Sequence, residues 1–377
     1  MSESVLVNFV YAHPVGHAIE ALQYCLGYHL ADPERRIGLV LNEATPAELA
    51  RWCPFVHNLY TTRMDMFAPD PRALEGVPRD WDWVVDDPRG WQDVQRAVFP
   101  GLAAYYDLAR AHFRARAGHH EVGAGGPDYL AGHRLRLTPP REARAAAETL
   151  LPATAGPRIA VLPGGSADRS LYPSVASWRR ILRALAARFP DATFCLTGKL
   201  ADDGRTRTTY SRAELDELRA AVPRCVLALD LPIAEQLAVV DRCDALVSPH
   251  SGFGMAALAV GTPWVVLGGN KWPEFYFNPG VPFYSVLPDV ERFPCYTAFG
   301  PDPEPVEDDG PRSPSMSAAR IESDVDELVE ATARIVEGRW DYETAMTDHF
   351  RRLTALYDGH TEWMYSVDGV HLPYLPG

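Results

Sequence analysis

Four short stretches of the chain concentrate glycines, small hydroxyls and cations: Pro163–Ser170 (PGGSADRS), Thr197–Lys199 (TGK), Ser248–Gly252 (SPHSG) and Gly268–Trp272 (GGNKW). That mixture suits a phosphate-bearing ligand. Glycines let the backbone approach, the amides of a helix start face the anion, and a cation completes the neutralisation. The chain has only two lysines, Lys199 and Lys271, and both fall in these stretches. The candidates for anion contact are Gly164, Gly165, Ser166, Arg169 and Ser170 in the first stretch and Gly198 and Lys199 in the second. His250, Ser251 and Gly252 follow in the third, with Phe253, Gly254 and Met255 just after it, and Lys271 in the fourth. Taken singly, each glycine is explained as well by a tight turn, and a lone histidine by a buried imidazole. Four such stretches in one chain point to a site.

The elements that must hold these residues are legible from hydrophobic runs. Arg158–Ser166 opens a series of strands and helices: helix Val175–Arg188, strand ATFCLTGK, helix Ser211–Ala221, strand CVLALD and helix Pro232–Arg242. A short buried strand, Ala245–Val247, then leads into a small-residue helix, Gly252–Val260, and a further strand, Trp264–Leu267. Alternation at this spacing predicts a mostly parallel, doubly wound sheet, in which ligands bind beyond the carboxyl ends of the strands. All four stretches fall at such ends. An earlier series alternates likewise: strand SVLVNFVYA, helix GHAIEALQYCLGYHL, strand RIGLVLNEA, helix TPAELARWC with Thr45 as its cap, strand WDWVVDD, and a helical run from Trp91 to about His119. A proline-bounded connection, Leu137–Pro157, separates the two. The expected architecture is α/β, with two Rossmann-like doubly wound domains facing a cleft. Its parts are a first domain over 1–150, a second over 151–320 that carries the four stretches, and helices and tail over 321–377 bridging back to the first. Phe299–Ser315, rich in Pro, Asp and Glu, reads as a surface loop.

Bulk properties narrow the classes. At 377 residues and 47% apolar, the chain can bury two cores, and its formal net charge of −14 argues against nucleic acid or an anionic membrane as a partner. Six scattered cysteines without a CxxC pair read as reduced thiols of a cytoplasmic protein. The N-terminal stretch has neither the basic region nor the apolar run of a signal peptide, and no stretch approaches a membrane span. No HExxH, no DxD triplet just after a strand and no Cys/His cluster suggests a metal; no GxGxxG follows the first strand, which disfavours a dinucleotide oxidoreductase.

The segment PHSGFGMAALAVGTPWVVLGG resembles the donor-binding motif of GT-B glycosyltransferases. IAVLPGGSADRSLYPSVASWRRILRALAARFPDATFCLTG and LPIAEQLAVVDRCDALVSPHSG are similar to the donor domain of bacterial ADP-heptose heptosyltransferases of lipopolysaccharide synthesis. The match spans about Arg158 to Gly269. The chain departs from that family at three positions. His250 stands in place of an aspartate and resembles the histidine–glycine donor motif of natural-product glycosyltransferases. Ser170, beside Arg169, stands where a lysine is expected. His17 stands at the position of the family's first-loop aspartate base.

The resemblance implies metal-independent transfer of a sugar from a nucleoside-diphosphate sugar, an ADP-sugar by kinship, to an acceptor hydroxyl of a small molecule or glycan. No cofactor is implied. Such transfer needs a base for the hydroxyl proton and fixed dipoles and cations around the departing diphosphate. His17, after the first strand and at a helix start, is the first choice of base, His13 the second and Glu20 the third. Glu274 is placed to accept hydrogen bonds from sugar hydroxyls. Alternatives of the same architecture are a nucleotide-sugar 2-epimerase and a non-catalytic nucleotide-sugar binder.

Overall fold

The computed structural model describes residues 3–10, 13–65, 70–86, 127–202, 204–270, 275–296, 306–307, 310–361, 364 and 366–375. The expected helix from Trp91 to His119 lies outside the described residues, as do Lys271 and Glu274. The chain divides into two compact units. One comprises Met1–Leu137, Tyr276–Pro279 and Leu353–Gly377; the other comprises Thr138–Phe275 and Gly280–Arg352.

In the first unit, strands β1 (Val5–Phe9), β2 (Ile37–Asn42), β3 (Asn58–Thr62) and β4 (Trp83–Asp86) form a parallel sheet in the order β3-β2-β1-β4. Strands β1 and β2 are buried along their whole length, as expected of parallel strands covered on both faces. Helix α1 (Val15–Ala31) packs on β1 and β2. Two local expectations are corrected. Ala47–Trp52 is a 3₁₀ helix, and Thr45 does not cap it, because its hydroxyl donates to the His13 carbonyl (3.1 Å). Strand β3, sequence NLYTT, is a half-exposed edge strand with no apolar run to announce it.

The second unit starts with helix α2 (Arg141–Leu150) and builds a six-stranded sheet. Its strands are β5 (Arg158–Val161), β6 (Thr193–Gly198), β7 (Cys225–Leu229), β8 (Ala245–Pro249), β9 (Trp264–Leu267) and β10 (Phe283–Val286). They are parallel throughout, in the order β10-β9-β8-β5-β6-β7. The helices between them are α3 (Val175–Arg188), α4 (Arg212–Arg219), α5 (Ile233–Val240) and α6 (Gly252–Val260), followed by α7 (Ala318–Val336) and α8 (Tyr342–Leu356). Serine side chains cap α3, α4, α6 and α7 by accepting from a first-turn amide, which accounts for where those helices begin. Helix α6 ends at Gly261, whose φ of 89° is a left-handed conformation that glycine adopts without strain. The strand order reverses between β5 and β8, so the loops after these two strands flank the crevice where doubly wound sheets hold ligands.

One further correction concerns the expected surface loop Phe299–Ser315. Its end is interior: Arg312 and Ser315 are 0% exposed and Ser313 is 1% exposed. The Ser313 amide bonds to the loop after β5 and the Ser315 hydroxyl to the loop after β9, which an irregular surface segment would not do. Among the described residues, no helix is long and apolar enough to cross a membrane.

Candidate functional site

The loop after β8 carries His250 and Ser251 into the start of α6. Ser251 is extended (φ −162°), and its hydroxyl oxygen accepts from the Gly254 amide at 3.2 Å. The Ser251 carbonyl also takes the Gly254 and Met255 amides, at 3.1 and 3.4 Å. The Gly252 and Phe253 amides begin the helix and have no carbonyl one turn back within it, so they carry the positive end of the helix. His250 is half-buried between two aromatic rings, 6.1 Å from Trp264 and 6.0 Å from Phe275. Trp264 is fixed by its indole N–H, which donates to the Ser248 hydroxyl (2.9 Å). Met255 is buried and serves packing rather than contact through its side chain.

The loop after β5 is held from two sides. The Gly164 carbonyl accepts from the Thr208 hydroxyl (3.0 Å) and the Gly165 carbonyl from the Thr209 amide (3.1 Å). A Cβ on Gly164 would lie 2.8 Å from the Tyr172 ring and 2.9 Å from the Tyr210 ring, so aromatic packing alone requires glycine there. Ser166 is exposed and Gly165 half-exposed, leaving this turn open to a ligand. Ser170 is buried, and its hydroxyl and amide both donate to Asp168 (2.6 and 2.8 Å).

Arg169 is engaged more heavily than its sequence context suggests. Its guanidinium makes a two-pronged pair with Glu214, donates to the Thr209 carbonyl (3.2 Å) and lies over the Tyr210 ring, 5.1 Å from the centroid. Glu214 also completes the capping box of α4 with Ser211. Burial alone would raise the Glu214 carboxyl; the bonds from Arg169 and from the Ser211 amide and hydroxyl overcome that and pull it down to about 2. Much of the Arg169 charge is therefore offset before any anion arrives. Glu214 went unassigned as a partner, although S-x-x-E at a helix start is readable as a capping box.

After β6, the Gly198 carbonyl accepts from the Asp230 amide (3.0 Å), and Asp230 in turn takes the Leu200 and Ala201 amides (2.7 and 2.8 Å). Lys199 is half-exposed at this turn. After β9, Gly268 and Gly269 are confined by Ser285, Ser315 and Met316.

In the first unit, His17 is the third residue of α1, and its Nδ1 lies 3.5 Å from Oε1 of Glu20, one turn further on. Glu20 is buried and His17 partly exposed, so the imidazole is accessible beside a carboxylate in contact distance. His13 is separated from this pair in role. Its Nε2 is 3.1 Å from the Met64 carbonyl, a contact that needs the proton on Nε2. Asn42 clamps the same loop by donating to the Val10 and Met64 carbonyls, both at 2.7 Å.

The architecture, two parallel Rossmann-like sheets flanked by helices, is that of the GT-B glycosyltransferase fold. A family 9 glycosyl transferase from Veillonella parvula DSM 2008 superposes with a TM-score of 0.54 at 11% identity, over 87% of this chain and 97% of that one. The ADP-heptose lipopolysaccharide heptosyltransferase II of E. coli superposes with a TM-score of 0.52 at 13% identity, over 87% of this chain and 98% of that one. At these identities the likeness is one of fold. No family model matches the chain, and no curated protein matches it.

Proposed function

We propose that the protein is a glycosyltransferase that uses a nucleoside-diphosphate sugar, with the diphosphate held at the carboxyl edge of the second unit's sheet. One observation carries the reading. The two loops flanking the β5/β8 switch point are the glycine-rich turn Gly164–Ser166 and the His250–Ser251 helix start, which brings the first-turn amides of α6 and an imidazole to one place. Negative charge on the leaving diphosphate would be met by the Gly252 and Phe253 amides, by His250 and by the Ser251 O–H. In this scheme protein donors stabilise the leaving group and no divalent ion is assigned a step.

His17 would take the acceptor proton. Its Nδ1 lies 3.5 Å from Glu20, and a neutral imidazole that keeps its proton on that nitrogen would offer the Nε2 lone pair as the basic site. Likeness of fold to an ADP-heptose enzyme supports an ADP-sugar as the first donor to try. The test is a thermal-shift series with ADP, UDP, GDP and TDP: a ligand at 100 times its dissociation constant adds about 2.7 kcal/mol of stability. A shift with one nucleotide, together with release of that nucleotide from its sugar only when an acceptor is added, supports transfer. Isomerised sugar without acceptor would instead mark an epimerase, and no shift with any of the four would remove the donor site.

A further inference from the structure

The buried turn Arg312–Met316 belongs to neither anion-binding loop, yet it bonds to both. The Ser313 amide donates to the Ser170 carbonyl in the loop after β5 (2.8 Å), and the Ser315 hydroxyl donates to the Gly269 carbonyl in the loop after β9 (2.8 Å). The Ser313 and Ser315 hydroxyls are themselves 3.0 Å apart. Met316 fills the space over Gly269, where an added Cβ would come 2.3 Å from its Cε. Arg312, fully buried, donates to the Pro311 carbonyl (2.9 Å). Strands β9, β8 and β5 are consecutive in the sheet, so the two loops joined by this turn stand on either side of the His250–Ser251 helix start.

A parallel sheet fixes where its strands end but not how the loops beyond them are set. Loops that must order when a ligand binds subtract that ordering cost from the affinity, and loops already fixed do not. We infer that Arg312–Met316 is a strap that sets the two loops around the helix start, with Ser315 as a positioning residue for diphosphate binding. This rests on the donor-site reading above. Loss of the Ser315 hydroxyl leaves the Gly269 carbonyl its bond from the Tyr296 amide (3.0 Å) but takes a partner from the buried Ser313 hydroxyl, so Ser315→Ala should cost some folding stability besides its effect on binding.

The experiment compares Ser315→Ala with Thr332→Val, which removes an equally buried hydroxyl that bonds the Leu328 carbonyl within α7 itself. Calorimetric titration with ADP, or with whichever of UDP, GDP and TDP binds the wild type, should show Ser315→Ala weakened about three- to tenfold. Thr332→Val should keep wild-type affinity while losing Tm. In the wild type, the same nucleotide should slow hydrogen exchange at the Ser313 and Tyr296 amides, a readout that does not depend on the variant folding. Wild-type affinity in folded Ser315→Ala, or unchanged exchange at both amides, overturns the strap. A wild type that binds none of the four nucleotides overturns the donor-site reading instead.

Discussion

Trp264 occupies the space that a side chain at Gly254 would need: an ideal Cβ there would lie 2.1 Å from both Cε2 and Cζ2 of the indole. The glycine nearest the middle of the helix start is thus dictated by helix–strand packing, whatever else approaches the loop. Gly254→Ala must move a rigid ring that is 1% exposed and hydrogen-bonded to Ser248. It should destabilise the protein by roughly 1–3 kcal/mol in urea unfolding, the usual cost of overpacking. Trp264→Phe removes the clashing ring atoms, so the double variant should be more stable than the two single losses summed would give. Additive losses would mean that the packing explanation is wrong.

This pair also marks what the sequence could and could not reveal. The run Gly252–Val260 is readable as a buried helix from its small apolar residues, and its start from Ser251. Strands β5 to β9 follow equally from their apolar runs. What a one-dimensional pattern cannot carry is the partner. The packing reason for glycine at 254 and 164 shows only in three dimensions, where Trp264, Tyr172 and Tyr210 stand against them. Arg169 looks like a spare cation until Glu214, 45 residues away, is seen paired to it. The buried turn at Arg312 was hidden for a different reason. Its Pro- and Ser-rich composition is that of a surface loop, and the loops it bonds to are distant in sequence. The edge strand β3 was missed because an edge strand needs no apolar alternation to hold its single ladder.

The Arg169–Glu214 pair makes an acid-sensitivity prediction with a definite sign. Glu214 in the folded protein titrates at about 2, below the ordinary glutamate value near 4.3. The folded state therefore favours the ionised form, and the pair adds stability above the unfolded value that is lost as pH falls through the folded one. Wild-type Tm should decline between about pH 5 and pH 2 more steeply than that of Glu214→Gln. Glu214→Gln should also return charge to Arg169. If Arg169 borders the diphosphate, nucleotide binding should tighten in this variant at neutral pH; unchanged affinity would show that Arg169 only builds the loop. Identical acid limbs in the two proteins would refute the pairing.

The last expectation concerns the base. His17→Ala should lower turnover by about 10² to 10⁴ while nucleotide affinity stays near wild type, because His17 lies in the first unit and the anion loops in the second. Glu20→Gln tests the orientation of the ring. A neutral amide one turn on still fills the buried space but no longer attracts the imidazole N–H as a carboxylate does, so turnover should fall less than in His17→Ala. His13→Ala should behave differently again. Its ring is committed to the Met64 carbonyl, so its loss should appear first as lowered Tm, with turnover per folded molecule largely kept. Turnover kept in His17→Ala and lost in folded His13→Ala would transfer the role of base to His13. The His17–Glu20 contact would then be only a feature of the helix start.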